Sequence, residues 1–366
     1  MDAALSELDR NELAHARAGR ETAIVVPSGH TKMEARMSGH TIRFLSAEEV
    51  RKALPMADSV EAMKQAFAEL SAGRTILPAR THMAVTEPPG DFLIMPSYMK
   101  SLGRVGLKTV TLFPGNRAKG LPFINALVCV FDGSTGQAVA VMDGASLTAI
   151  RTGAASGAAT DLMARPESQV VAIFGAGVQA RTQLAAVCAV RKIAEARVFD
   201  IFPEAREAFA NEMSGELGIK VRPVATSKEA LDGADIVSAA TTSETPIFSD
   251  NDLAAGAHVN AVGSYKPHVV EIPPETVKRA YVVVDQMEAA LEEAGDLIAP
   301  MNAGEIGRDH IRAELGEVVS GAKPGRPSDD AVTFFKSVGV AVQDLAAGCR
   351  ALEGAERLGL GREVEM

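Results

Sequence analysis

Apolar and polar positions along this chain change rhythm twice. Val60, Met63, Ala66, Phe67 and Leu70 recur at helical spacing and predict a helix over 57–72, which Gly73 stops. Upstream, Ser46 followed three residues later by Glu49 has the spacing of a capping box. Short β-rich runs come next, at 81–85, 92–95, 106–113 and 126–131. A turn at Asp132-Gly-Ser-Thr-Gly136 then returns the chain into a run at 138–142. This region reads as a mostly antiparallel meander. Residues 145–164 predict a helix ending at Arg165-Pro166. From Gln169 strands alternate with helices, the strands at 169–174, 196–199, 236–239, 258–262 and 281–284, the helices at 178–190, 203–217 and 227–231. Such alternation implies an α/β fold with a parallel, doubly wound sheet. After Asp285 the pattern is helical again, over 287–294 and in one long apolar-rich helix over 332–356, expected to pack back on the meander. Residues 1–40 mix charges with Gly29 and Gly39 and read as an N-terminal extension with a helix over 3–18.

The junction between the strand at 169–174 and the helix at 178–190 carries the first chemistry. Gly175-Ala-Gly-Val-Gln-Ala180 fits GxGxxA, a Rossmann-type dinucleotide turn. Gly175 permits the tight turn, Gly177 lets a pyrophosphate approach the backbone, and Ala180 allows close helix–strand packing. The helix N-terminus offers free N–H groups to the phosphates. Asp200 ends the next strand, 23 residues beyond Gly177. It can accept from the ribose hydroxyls, and its charge disfavours a 2′-phosphate, so NAD is expected over NADP.

Composition then narrows the partners. The 366 residues are 47% hydrophobic and 23% charged, which suits a soluble two-domain protein. A net charge of −10 with no basic block among aromatics argues against nucleic acid. No apolar run reaches the roughly 18 residues of a membrane span. Cys129, Cys188 and Cys349 are far apart in apolar stretches, so buried free thiols and a cytoplasmic location are expected.

Several segments together resemble the ornithine cyclodeaminase/mu-crystallin family. They are Met95-Pro-Ser-Tyr98, Gly106-Leu-Lys-Thr-Val110, Met142-Asp-Gly144, Leu147-Thr-Ala-Ile-Arg-Thr152, the glycine turn, Asn260-Ala-Val-Gly263, Glu314-Leu-Gly-Glu-Val318 and Thr333-Phe-Phe-Lys-Ser-Val-Gly339. The resemblance covers about Thr41 to Glu356. It implies a nicotinamide-dependent oxidoreductase acting at the C–N bond of a small 2-imino or 2-amino acid, and a homodimer whose substrate-binding domain also forms the dimer interface. It divides the chain into the extension, a discontinuous α+β substrate-binding and dimerisation domain (41–150 and 315–366), and a Rossmann domain (151–314). It also implies that Arg80 on the first strand of the meander, Lys108 and Arg151 hold the substrate carboxylate, with Val338 beside them and Lys108 as proton donor. Arg151, Thr152, Val178, Gln179, Thr241, Val262, Gly263 and Ser337 would contact the cofactor. Three cations gathered for one carboxylate are expected to be unpaired in the empty site, and to contribute little to stability.

Two departures select a branch. Cyclodeaminases of the family carry acids where this chain has Leu93 and Tyr265, and a cationic diamine would need them. The pattern instead resembles ketimine reductases and mu-crystallin, while Asp200 departs from the NADPH-using members of that branch. An alanine-dehydrogenase-like activity uses the same groups. The competing functions are an ammonia lyase that uses NAD transiently and a non-catalytic ligand-binding protein. The seven histidines show no metal-ligand spacing. His82, two residues from Arg80, would share its face. Glu292-Glu293 reads as a solvated helix end.

Overall fold

The computed structural model describes residues 39–366, so the helix expected over 3–18 lies outside the described residues. The chain builds two sheets joined by one long helix. Strands β1 (Thr41–Leu45), β2 (Thr75–Ile76), β3 (Thr81–Thr86), β4 (Pro89–Met99), β5 (Arg104–Leu112), β6 (Ile124–Asp132) and β7 (Ala138–Asp143) form the first sheet. β3 to β7 are the expected meander. β1 adds in parallel beside β7, and β16 (Arg362–Glu365) closes that edge antiparallel to β1. One face of this sheet packs on the Ala341–Leu358 helix, and β1, β7 and the Met56–Ser71 helix share the same core.

The second sheet is parallel throughout. It contains β8 (Val170–Phe174), β9 (Glu195–Phe199), β10 (Lys220–Pro223), β11 (Ile236–Ala239), β12 (His258–Ala261), β13 (Tyr281–Val284), β14 (Ile311–Glu314) and β15 (Thr333–Lys336). Their order is β10-β9-β8-β11-β12-β15-β13-β14. β11 and β12 are buried along their whole length, as strands covered by helices on both faces must be. The chain turns from one side of the sheet to the other between β8 and β11, which opens a crevice at their C-terminal ends.

The Gly144–Met163 helix links the sheets. The Asp143 carboxylate caps it by accepting from Ser146 N at 2.7 Å. It packs against both the Met56–Ser71 helix of the first unit and the Val178–Val190 helix that follows the glycine turn. The expected boundary at residue 151 therefore falls inside one continuous helix.

The second boundary also differs. The sequence reading returned the chain to the first domain at 315 and ran one helix over 332–356. The Leu315–Val319 helix does pack on the Met56–Ser71 helix, as a return at 315 requires, but Thr333–Lys336 is then β15, hydrogen-bonded between β12 and β13, and the chain leaves the second sheet for good only after it. Thr333-Phe-Phe is a β-branched and aromatic run suited to a buried strand. Gly339, at φ +86°, breaks the backbone before the helix begins at Ala341. The three cysteines are unpaired; Cys349 is buried, whereas Cys129 and Cys188 are only half-buried. Among the described residues no helix is long and apolar enough to cross a membrane.

Candidate active site

The C-terminal edge of the parallel sheet gathers the expected cofactor residues. Gly175 follows β8 with φ +92°, and a Cβ there would lie 2.7 Å from the Ala240 carbonyl oxygen, so the turn demands glycine. Gly177 is the N-cap of the next helix, and a Cβ on it would meet nothing within 4 Å. Its bare face opens on a cavity of about 520 Å³ lined by Gly175, Asp200, Phe202, Thr241 and Ile247 among others. Ala180 is fully buried under the turn. Asp200 accepts from Ala176 N at 2.8 Å and Phe202 N at 2.9 Å. Each carboxylate oxygen thus spends one lone pair on the loop and keeps another. Val178 is exposed on the first turn, and the Gln179 carboxamide oxygen is buried with no partner. Thr152 donates to Thr148 O within the linking helix, one residue beyond Arg151. A buried unpaired acceptor, a glycine facing open space and a carboxylate at the second strand end fit a dinucleotide.

Two buried acids hold the neighbouring loops. Glu271 accepts from Thr241 N at 2.8 Å, Thr241 Oγ1 at 2.7 Å and Gly263 N at 3.1 Å, tying the ends of β11 and β12 together. Val262 N bonds Ala239 O across the same two strands. Burial pushes the Glu271 carboxyl above its usual range, against the pull of Lys336. Asp285, just after β13, accepts from Ser337 Oγ at 2.8 Å, Val338 N at 2.9 Å and Gly339 N at 2.7 Å. It is also raised by burial. Sequence reasoning had singled out neither acid.

The clamp residues come from three separate elements. In the first sheet Lys108 on β5 lies directly opposite Met95 on β4 and Val128 on β6, all facing the Ala341–Leu358 helix. Arg80 immediately precedes β3 rather than lying on it, one register step beyond the Thr81–Ile94 pair, and so shares that row with Met95. Arg151 is buried in the linking helix.

The clamp is not the unpaired cluster the sequence suggested. Lys108 Nζ and Arg151 Nε lie 2.8 and 3.0 Å from the two oxygens of Asp344, and all three side chains are buried. Arg151 Nη1 also donates to Gln343 Oε1, which accepts from Val340 N as well. A Cβ on Gly339 would lie 2.9 Å from Arg151 Nη1, so this loop can pass the guanidinium only as glycine. Arg80 Nη2 donates to Gly339 O at 3.0 Å and pairs with Glu293 Oε1 at 3.1 Å. Burial and the two arginines outweigh Asp344 and push the Lys108 ammonium down to about 8. A side chain that exchanges a proton near neutrality thus stands beside two fixed cations.

Residues 41–355 match the ornithine cyclodeaminase/mu-crystallin family. The chain belongs to this family. It is 40% identical over 322 residues to a Delta(1)-pyrroline-2-carboxylate reductase of Bacillus cereus, covering 88% of this chain and 99% of that one. Among solved structures it is similar to the Delta(1)-pyrroline-2-carboxylate reductase of Thermococcus litoralis in complex with NADH and L-proline. The TM-score is 0.84 at 42% identity, over 88% of this chain and 100% of that one. An archaeal alanine dehydrogenase dimer with bound NAD superposes with TM-score 0.82 at 33% identity, over 89% and 99% of the two chains.

The other candidates fall differently. Leu93 is half-buried on the clamp's face of β4, two residues before Met95, and Tyr265 is 45% exposed. His82 points to solvent and pairs with Asp91 at 2.6 Å instead of lining the pocket. Glu293 is no solvated helix end, because its side chain is only 21% exposed against Arg80. Asp344, on which two clamp residues converge, was missed altogether. Its one sequence signal was an acid flanked by the apolar residues that open the last helix.

Proposed function

We propose that this protein is an NADH-dependent reductase of small 2-imino acids, with a five-membered cyclic ketimine carboxylate of the pyrroline-2-carboxylate type as substrate. The observation that carries the reading is the meeting of Lys108 and Arg151 on Asp344, with Arg80 beside them, next to a dinucleotide crevice. Two guanidinium groups and an ammonium on one face suit a carboxylate, and arginine grips it bidentately. Gly177, Gln179, Asp200 and Thr241 would hold the dinucleotide, which when bound supplies the hydride that ends on the substrate's α-carbon. Lys108 delivers the proton that the imine nitrogen needs; with a pKa of about 8 it is charged at neutral pH yet gives its proton up readily. Arg151 lies on the helix joining the two sheets, so it fixes the carboxylate relative to the crevice. Val338, on the loop held by Asp285, packs on the core of the second sheet, and Val340 two residues on lines the cavity beside Arg80.

The test is NADH consumption with Δ1-pyrroline-2-carboxylate, beside pyruvate with ammonia and ammonia release from L-ornithine. We expect turnover of the cyclic imine, at least tenfold lower kcat/KM with NADPH because Asp200 repels the 2′-phosphate, and little or no ornithine deamination. Rapid cyclisation of ornithine to proline with catalytic NAD would overturn the reading. So would NADH turnover that is unaffected in Arg151→Ala. A desolvated charge partner is worth roughly 2–5 kcal/mol, so that variant should lose about 30-fold or more in kcat/KM.

The protein works as a homodimer in this reading. On the face of the first sheet away from the Ala341–Leu358 helix, Met83, Val105 and Leu127 are 53%, 36% and 51% exposed. An apolar sheet face of this kind is covered by a partner in most soluble proteins, and the alanine dehydrogenase relative is a dimer.

A further inference from the structure

The three clamp cations are held in two different ways. Asp344 is as buried as Lys108 and Arg151 and belongs permanently to the core. Arg80 has a partner of another kind. Glu293 ends the short Met287–Glu293 helix and reaches Arg80 across a cavity of about 380 Å³, which is also lined by Met95, Ala289, Glu292 and Val340. Among the described residues Arg80 is the one group that favours its charge. It lies where the Met287–Glu293 helix ends and the Gly295–Asn302 helix begins, so the two opposed helix ends give its charge no net help. Burial and the neighbouring Asp285 and Glu292 carboxylates work against ionisation, and Arg80 opposes them. A carboxylate placed so poorly for stability, and resting on the very guanidinium that a substrate carboxylate requires, occupies the substrate's place.

We infer that Glu293 is a specificity-determining residue: it holds the Arg80 guanidinium until a substrate carboxylate displaces it, and its charge, then left facing the cavity, discriminates against imino acids that carry a second carboxylate. The inference rests on the assignment of Arg80 to the substrate carboxylate. Two consequences follow from simple electrostatics. Removing the charge frees Arg80, so a monocarboxylate binds more tightly. It also removes a like charge from the space beyond the α-carbon, so a dicarboxylate gains more than a monocarboxylate does.

The experiment compares wild-type enzyme, Glu293→Gln, Glu293→Asp and Arg80→Ala in NADH-consumption assays. The probes are Δ1-pyrroline-2-carboxylate and the dicarboxylate imine formed from oxaloacetate and ammonia, and NADH binding is titrated separately by fluorescence. Glu293→Gln should lower KM for the monocarboxylate about three- to tenfold, and raise the dicarboxylate-to-monocarboxylate ratio of kcat/KM at least tenfold. Glu293→Asp keeps the charge and should keep the wild-type ratio. A raised KM in Glu293→Gln, or the same change of ratio in both variants, overturns the inference and makes the ion pair purely structural. Arg80→Ala separates the two levels of the argument. If it cripples turnover while Glu293→Gln changes no ratio, the clamp stands and the role of Glu293 falls. If it leaves kcat/KM intact with NADH binding normal, the clamp assignment falls as well, and the inference with it.

Discussion

Asp344 governs the chemistry of two cations at once, and its removal makes a prediction about pH. Lys108 must be protonated to serve imine reduction, so kcat/KM, which reports the free enzyme, should fall as pH rises through about 8. The Asp344 charge raises the Lys108 pKa, while burial, Arg151 and Arg80 lower it. In Asp344→Asn the alkaline limb should therefore move to lower pH by a unit or more, readable from pH profiles of kcat/KM. Bound substrate brings its own carboxylate, so the limb in kcat should lie at higher pH than the limb in kcat/KM. Stripping one partner from a buried ion pair also costs about 3–5 kcal/mol, so the variant should melt earlier. The same holds for Arg151, whose pairing contradicts the expectation that the empty clamp contributes nothing to stability. Residues of this kind are hard to read in a sequence. Lys108 and Arg151 sit in motifs, whereas Asp344 and Glu293 acquire meaning only from partners 236 and 213 positions away. An acid beside another acid at a helix end reads as solvated until the fold brings an arginine to it.

At the level of elements, the glycine turn and the helix behind it were legible because their rules are local. Period, turn chemistry and capping give the helices Val178–Val190, Pro203–Leu217 and Ser227–Leu231 with the expected bounds. Gly175 tests the turn itself. An alanine there adopts a left-handed backbone at a cost of about 1–2 kcal/mol and presses on Ala240 O. Gly175→Ala should weaken NADH binding about tenfold or more by fluorescence titration, with the first sheet unaffected. β15 was hidden for the opposite reason. Its four residues continue an apolar run into the last helix, and what makes them a strand is the pair of neighbours waiting in the sheet. Gly339 marked the break, but a lone glycine does not say whether a strand or a helix precedes it. The short edge strands β10, β14 and β16 were likewise missed, since a few residues paired on one side leave little pattern.

For the whole molecule the exposed outer face of the first sheet predicts assembly. Leu127→Glu places a charge in the middle of that face, where it is tolerated only in water, and should convert a dimer to a monomer in light scattering after size-exclusion chromatography. If the wild-type chain already runs as a monomer, the face serves some other partner. The arrangement of the two sheets has one more consequence, for the order of synthesis. β15 is an interior strand of the parallel sheet, and β16 covers the edge of the other sheet beside β1, the first strand of the described residues. Neither sheet is therefore complete until the residues beyond about 330 have emerged to pair in it. A nascent chain stopped near residue 330 would carry a gap between β12 and β13 and a bare edge at β1, so a single late step should close both sheets together.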